Sequence, residues 1–277
     1  MQAVTLFDEM VAAYHPSSPV EKLNAQHQVM QQIALAGLQK GGFFEHAAFY
    51  GGTCLRIFHQ LPRFSEDMDF TLVEKNKSIH LENYFDAIKD VFQLAGKDVE
   101  LKKKDKVNFG RVESAFLKEN TDVYHMAFTT EKSVKVKIEL DTDPPLGFNS
   151  EYLPLNLPYH FMARCLTLPD LFAGKMNALV YRKWQTRIKG RDWYDFEWYV
   201  KWNIPLNFKH LQERIREFTG EDVTRAQFEE LLRERLATGD IEQIKSDVLP
   251  FVINPHELDL WTNDYFLYLA SKINWID

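Results

Sequence analysis

The stretch that most restricts the fold is FYGGTCLRIFHQLPRFSEDMDF, residues 49–70. An apolar run ends in a glycine pair, a short amphipathic segment follows, and a second apolar run carries two aspartates one residue apart. Strand alternation puts Asp67 and Asp69 on one face and Met68 and Phe70 on the other. Two carboxylates that close repel, so they must be hydrated or neutralised, and a bound dication does both. Glycines after a strand let a ligand approach the backbone, and the helix start behind them offers unpaired N–H groups to a phosphate. A solvated edge strand with a polar face is the plain alternative for an isolated Asp-x-Asp. The glycine pair and the helix before it argue against that alternative here.

Around this unit the pattern alternates between helix and strand. Residues 20–40 read as an amphipathic helix closed by Gly41-Gly42, HAAFYGG as a short strand, residues 53–60 as a short helix and DMDFTLV as a second strand. IHLENYFDAIKDVFQLAG reads as a helix with Ser78 as N-cap and Gly96 just past its end. Four strand-like runs follow between 98 and 141, the last being VKVKIEL with a strict period of two. TLPDLFAGKMNALVYRK opens a helical region, with Thr167 and Asp170 read as a capping box, and helix-like stretches recur near 191–201, 208–218, 225–236 and 256–272. The expectation is an α/β (α+β) domain over residues 1–155, with a mixed sheet and flanking helices, then a mostly helical domain over 156–277. The Pro-punctuated EYLPLNLPYH would join them.

Bulk composition narrows the function classes. In 277 residues, 45% are hydrophobic and 26% charged, which is globular rather than disordered. A net charge of −7 argues against coating nucleic acid non-specifically, though a local basic groove is compatible with it. Cys54 and Cys165 make neither a disulfide framework nor a cysteine metal site. The N-terminal MQAVTLFDEM lacks a basic leader, and no apolar run is long enough to span a bilayer, so a cytoplasmic protein without a membrane partner is expected.

A two-metal site normally has a third acid on a neighbouring strand. In VKVKIELDTD, Val134, Val136, Ile138 and Leu140 form the buried face, and Lys135, Lys137, Glu139 and Asp141 share the other. Glu139 is chosen over Asp141 and Asp143 because it lies within the strand, before Pro144-Pro145. Lys137, two positions earlier, would pair with Glu139 or reach a phosphate.

Tyr50, Gly51, Gly52, Asp67, Met68, Asp69 and Phe70, with the string RFSEDMDF, resemble the signature of AbiEii/AbiGii-type nucleotidyltransferases within the polymerase-β-like superfamily. RIKGRDWYDFEWY resembles that family's second element, a basic run followed by Arg-Asp-x-x-Asp, with Arg191, Asp192 and Asp195 in the matching places. Read from residues alone, Asp192 and Asp195 make an acidic first helical turn favoured by the helix dipole, with Arg191 as salt-bridge partner. Lys175, inside the apolar stripe of its helix, either snorkels or is aimed at a charged partner. The resemblance implies that Lys175 contacts nucleotide phosphates and that Asp192 or Asp195 belongs to the active site, without choosing between them.

The resulting expectation is a Mg²⁺-dependent enzyme that moves NMP from an NTP to an acceptor hydroxyl. Asp67, Asp69 and Glu139 would hold two metals, and Gly51, Gly52 and Thr53 the phosphates. Lys137, Lys175 and Arg191 are the cationic candidates for nucleotide contact. What the resemblance implies further is a toxin of a bacterial toxin–antitoxin or abortive-infection system, a separate antitoxin protein, and a tRNA 3′ end as acceptor. Two rivals share the fold: NMP transfer to a protein side chain, and a silent nucleotide- or RNA-binding module. Lys102, Lys103, Lys104 and Lys106, and again Arg182, Lys183, Arg187, Lys189 and Arg191 with Trp184 and Trp193 nearby, are where an RNA backbone would rest.

Overall fold

Thr5 and Ser18 start the first two helices as their chemistry requires. Thr5 exchanges hydrogen bonds with Asp8 in a capping box ahead of α1 (Leu6–Ala12), and the Ser18 hydroxyl accepts from Glu21 N ahead of α2 (Pro19–Lys40). The computed structural model describes residues 3–76, 78–104, 121–130, 134–182 and 188–277. Within it the chain forms two units, one of residues 1–60, 65–144 and 150–165, the other of 61–64, 145–149 and 166–277.

The first unit is built on a seven-stranded mixed sheet of order β3-β4-β5-β2-β1-β7-β6. Its strands are β1 (Ala47–Tyr50), β2 (Met68–Leu72), β3 (Val99–Lys103), β4 (Thr121–Phe128), β5 (Lys135–Asp141), β6 (Ser150–Leu155) and β7 (Phe161–Leu166). Helix α3 (Gly51–Phe58) follows β1 directly, and α4 (Phe85–Leu94) precedes β3. β2 pairs antiparallel with β1 and parallel with β5. Phe49 and Phe70, opposite each other on β1 and β2, stack at 4.9 Å, and Phe43 meets Phe70 edge-on at 5.2 Å. Helices α2 and α4 cross so closely that a Cβ on Gly37 would lie 2.5 Å from Ile88 Cα.

Two local expectations change. EYLPLNLPYH is not a simple linker, because β6 covers Ser150–Leu155 and forms the outer edge of the sheet beside β7. An edge strand tolerates Pro154, which has no N–H to contribute to a ladder. Ser78 does not cap α4, since its N–H and hydroxyl both donate to Asn76 Oδ1, and a 3₁₀ turn at Leu81–Tyr84 leads into the helix.

The second unit contains α5 (Leu168–Tyr181), α6 (Gly190–Lys201), α7 (Phe208–Thr219), α8 (Arg225–Thr238), α9 (Ile241–Val248) and α10 (Asn263–Ala270), plus a parallel pair β8 (Pro205–Asn207) and β9 (Asn274–Ile276). Its core is aromatic: Phe172 stacks on Tyr199 at 4.3 Å, and Trp193 meets Phe266 edge-on at 4.8 Å. Thr167 and Asp170 do not form a capping box. The Thr167 hydroxyl donates to Asp170 Oδ2, which also accepts from Asn149 N, while Asn207 Nδ2 donates to Asp170 Oδ1. Asp170 is fully buried and ties two other segments, at Asn149 and Asn207, to the start of α5. The helix expected at 256–272 is divided into a 3₁₀ turn at Pro255–Leu258 and α10, which Thr262 caps through Tyr265 N.

Candidate active site

The acids of the first unit are fixed from behind. Gln31 Nε2, on α2, donates to the carbonyls of Ser65 and Glu66 at 3.0 Å each, and the Thr53 hydroxyl donates to the Asp67 carbonyl. These bonds set the entry to β2, so that Asp67 and Asp69 share the face opposite the buried Met68 and Phe70. Thr53 is fully buried and its hydroxyl is committed to that carbonyl, so a phosphate contact at this residue falls to its backbone N–H.

Asp69 lies opposite Tyr50 on β1 and Glu139 on β5. Neighbouring strands run about 4.8 Å apart and paired residues face the same way, so Asp67, Asp69 and Glu139 occupy one face of adjacent strands. Gly51 makes room for this. Its φ is +80°, and a Cβ there would lie 2.3 Å from Asp69 Oδ2. Tyr50, the residue before α3, caps it with no side-chain hydrogen bond, which leaves the first-turn N–H groups to backbone, solvent or ligand.

Glu139 and Asp141 separate by surroundings. Asp141 is buried and accepts from Asp143 N, closing the turn after β5. Glu139 is half-buried, and Lys137 Nζ is 2.5 Å from its Oε1. Burial would lower the Lys137 pKa, but Glu139, and beyond it Asp67 and Asp69, hold it above the ordinary value. The donor set, three carboxylates from adjacent strands, is that of a hard dication. Among the described residues no three such side chains are gathered tightly enough to grip an ion as they stand, and Glu139 is turned to Lys137.

The second unit has a buried ion-pair network that local sequence did not reveal. Lys175 Nζ, on α5, lies 2.8 Å from Asp192 Oδ1 and 2.7 Å from Asp195 Oδ2, both on α6. Arg63 donates to both Asp195 oxygens, at 2.6 and 2.7 Å, and Arg182 Nη1 is 2.8 Å from Asp192 Oδ2. Burial would raise the Asp192 carboxyl pKa, yet Lys175 and Arg182 hold it well below the usual range; Arg63 and Lys175 do the same for Asp195. The acidic turn has more partners than the helix dipole and Arg191, whose charge also helps to lower the Asp192 pKa. Both carboxylates are buried among cations from other segments, and the Arg191 guanidinium lies 4.4 Å over the Phe251 ring. Nor does Lys175 snorkel from an apolar stripe: it is aimed at two carboxylates.

Arg63 is the residue that sequence reasoning missed. It sits in the string RFSEDMDF, but nothing nearby in sequence marks it as an ion-pair partner. The basic clusters divide as well. Lys103 pairs with Asp122 and Glu82, and Lys102 with Glu100, while Lys106, Lys183, Trp184 and Arg187 lie outside the described residues.

No curated protein matches the sequence. In fold the chain is similar to MenT4, a nucleotidyltransferase toxin from Mycobacterium tuberculosis H37Rv, with a TM-score of 0.60 and 14% identity over 96% of this chain and 90% of that one. It is also similar to JHP933 from Helicobacter pylori, with a TM-score of 0.51 and 15% identity over 90% of each chain. The family model described as nucleotidyl transferase AbiEii toxin, type IV toxin–antitoxin system, matches residues 33–266. That match spans most of the chain, which therefore belongs to the AbiEii family of nucleotidyltransferase toxins.

Proposed function

We propose that the chain transfers NMP from an NTP to an acceptor hydroxyl in a Mg²⁺-dependent reaction, with an RNA such as a tRNA 3′ end as acceptor. The observation that carries this reading is the Asp69 carboxylate, lodged where a side chain at Gly51 would stand and in register with Glu139. Asp67, Asp69 and Glu139 would hold the dication, with Glu139 released from Lys137. When bound, the dication neutralises triphosphate charge and acidifies the attacking hydroxyl.

The chain's own residues account for the rest. The N–H groups at Gly51, Gly52 and Thr53, at the start of α3, receive phosphate oxygens. The acceptor oxygen forms a bond to the α-phosphorus, the bond to the α–β bridging oxygen breaks, and pyrophosphate leaves. The hydroxyl proton passes to the Glu139 carboxylate once it has left Lys137, which frees the Lys137 ammonium for a phosphate oxygen. Membership of the family is what assigns Lys175 to the nucleotide phosphates, and Asp192 and Asp195, both buried, would fix its ammonium rather than touch substrate. Arg191 adds positive charge at the same end of α6. Family membership implies an antitoxin that restrains the activity. No described helix is long and apolar enough to cross a membrane, and a cytoplasmic site of action fits an RNA acceptor.

Incubating the protein with each labelled NTP and Mg²⁺, with and without total RNA, tests the proposal. Label should enter RNA with release of pyrophosphate, and Asp67→Ala should abolish it. Label entering only protein would replace the RNA acceptor, and no transfer to any acceptor would overturn the reading.

A further inference from the structure

Strand register sorts the lysines of the first unit by face, and the sorting carries information the sequence order hides. Lys102 on β3 lies opposite His125 on β4, and His125 lies opposite Lys137 on β5. Met68 on β2 lies opposite Ile138, which aligns Asp67, one residue earlier, with the end of the same row. Lys102, His125, Lys137 and Asp67 therefore run across four strands on one face. Lys104, two residues beyond Lys102, and Lys135, two before Lys137, share it. Lys103 points to the other side, where Asp122 and Glu82 pair with it. Burial lowers the His125 pKa, and Lys104, Lys137 and Lys135 lower it further while Asp67 opposes them, so these groups lie within electrostatic reach of one ring. Apart from the three acids assigned to the dication, the face carries four lysines against Glu100, which is 2.9 Å from Lys102 Nζ, and Asp141, which accepts from Asp143 N at the end of β5.

The order of strands gives this row a direction. Gly51 and the start of α3 lie on the β1 side of Asp69, whereas β5, β4 and β3 extend from its other side. The acids stand between the start of α3, where the NTP phosphates are proposed to bind, and a cationic lane. We propose that the lane Lys102–His125–Lys137, flanked by Lys104 and Lys135, is the docking surface of the acceptor, a single-stranded nucleic-acid end whose phosphates follow the lysines toward Asp67. This rests on the nucleotidyltransferase reading of the same acids. Charge complementarity favours a polyanion there, because each phosphate contact releases condensed counterions. His125 offers a flat ring at the lane's centre on which an unstacked base can rest.

The test is binding, measured apart from catalysis. Anisotropy of a short fluorescein-labelled oligoribonucleotide is titrated with the wild type, with Lys102→Glu/Lys135→Glu, and with Lys22→Glu/Lys89→Glu, which makes the same charge change on α2 and α4. The lane variant should weaken binding about 10- to 100-fold and reduce the salt slope by about 1.4, two single-strand contacts at roughly 0.7 each. The control should stay within about threefold of wild type. In transfer assays the lane variant should raise the KM for total RNA and leave the KM for NTP unchanged. Equal binding by lane and control variants, or no binding by the wild type, overturns the lane. Transfer to RNA surviving in that case would leave the enzymatic reading standing.

Discussion

Gly51→Ala separates the position of Asp69 from the stability of the fold. At φ +80° an alanine occupies left-handed backbone, which costs an L residue about 1–2 kcal/mol. Its Cβ would stand 2.3 Å from Asp69 Oδ2 and 3.1 Å from Cγ, whereas ordinary contact starts at 3.4 Å. The carboxylate oxygen must therefore withdraw by roughly 1 Å, a displacement that can lower a rate about 100-fold, or ~2.7 kcal/mol in barrier. Stability should fall much less, with Tm down by roughly 2–8 °C.

Gly42→Ala is the matched control. Gly42 has φ +81°, but a Cβ there meets only Glu45, at 3.5 Å. It should lose similar stability and keep full transfer. Transfer of labelled nucleotide at saturating NTP and Mg²⁺, read beside Tm for each variant, decides the matter. If Gly51→Ala stays within a few-fold of wild type, or Gly42→Ala loses as much activity, Asp69 is not held in a reacting position by this contact.

The network of the second unit makes its own predictions. Asp195→Asn leaves Arg63, only 2% exposed, without its charged partner and should cost about 3–5 kcal/mol, or on the order of 10 °C in Tm, with Arg63→Met/Asp195→Leu recovering most of the loss. Lys175→Met leaves Asp192 with Arg182 and Asp195 with Arg63, so its stability loss should be smaller, while transfer falls at least 100-fold; undiminished transfer would return Lys175 to a structural role. Folding depresses the Asp192 and Asp195 pKa values, so the stability they contribute is complete above about pH 4 and is lost as pH falls through the folded-state values. Denaturant unfolding from neutral to strongly acidic pH should show the wild type converging on Asp192→Asn, and parallel curves would contradict the linkage. Glu139→Gln should cut turnover by orders of magnitude with little change in NTP affinity, and Asp141→Asn, at the turn after β5, should have little effect on either.

Much of the first unit was legible because its signals are local. Alternation in DMDF and VKVKIEL assigns each side chain a face from sequence alone, and the structure has Met68, Phe70, Val136, Ile138 and Leu140 buried as that pattern requires. Alternation does not say which strands are neighbours. That Asp69 lies beside Glu139, and Lys102 beside His125, follows from a sheet order that no periodicity encodes. β6 was obscured for a related reason: proline is a strong signal against a central strand and a weak one against an edge.

The acidic pair on α6 shows why magnitudes were needed to read the second unit. A helix dipole stabilises a carboxylate in its first turn by about 0.3–1 kcal/mol, and only Asp192 lies close enough to the start of α6 to gain from it. Removing a carboxylate from water costs several kcal/mol. Asp192 is 3% exposed and Asp195 fully buried, so the dipole is too weak to account for either, and cations must be supplied from elsewhere. They come from Arg63, which is 132 residues from Asp195, from Lys175 on α5, and from Arg182 in the basic run ahead of α6. Sequence alone gave no reason to expect burial at Asp195, because the apolar positions around it suit an amphipathic helix of either orientation. Burial is the fact that turns an ordinary acidic turn into a network able to hold Lys175 in one place.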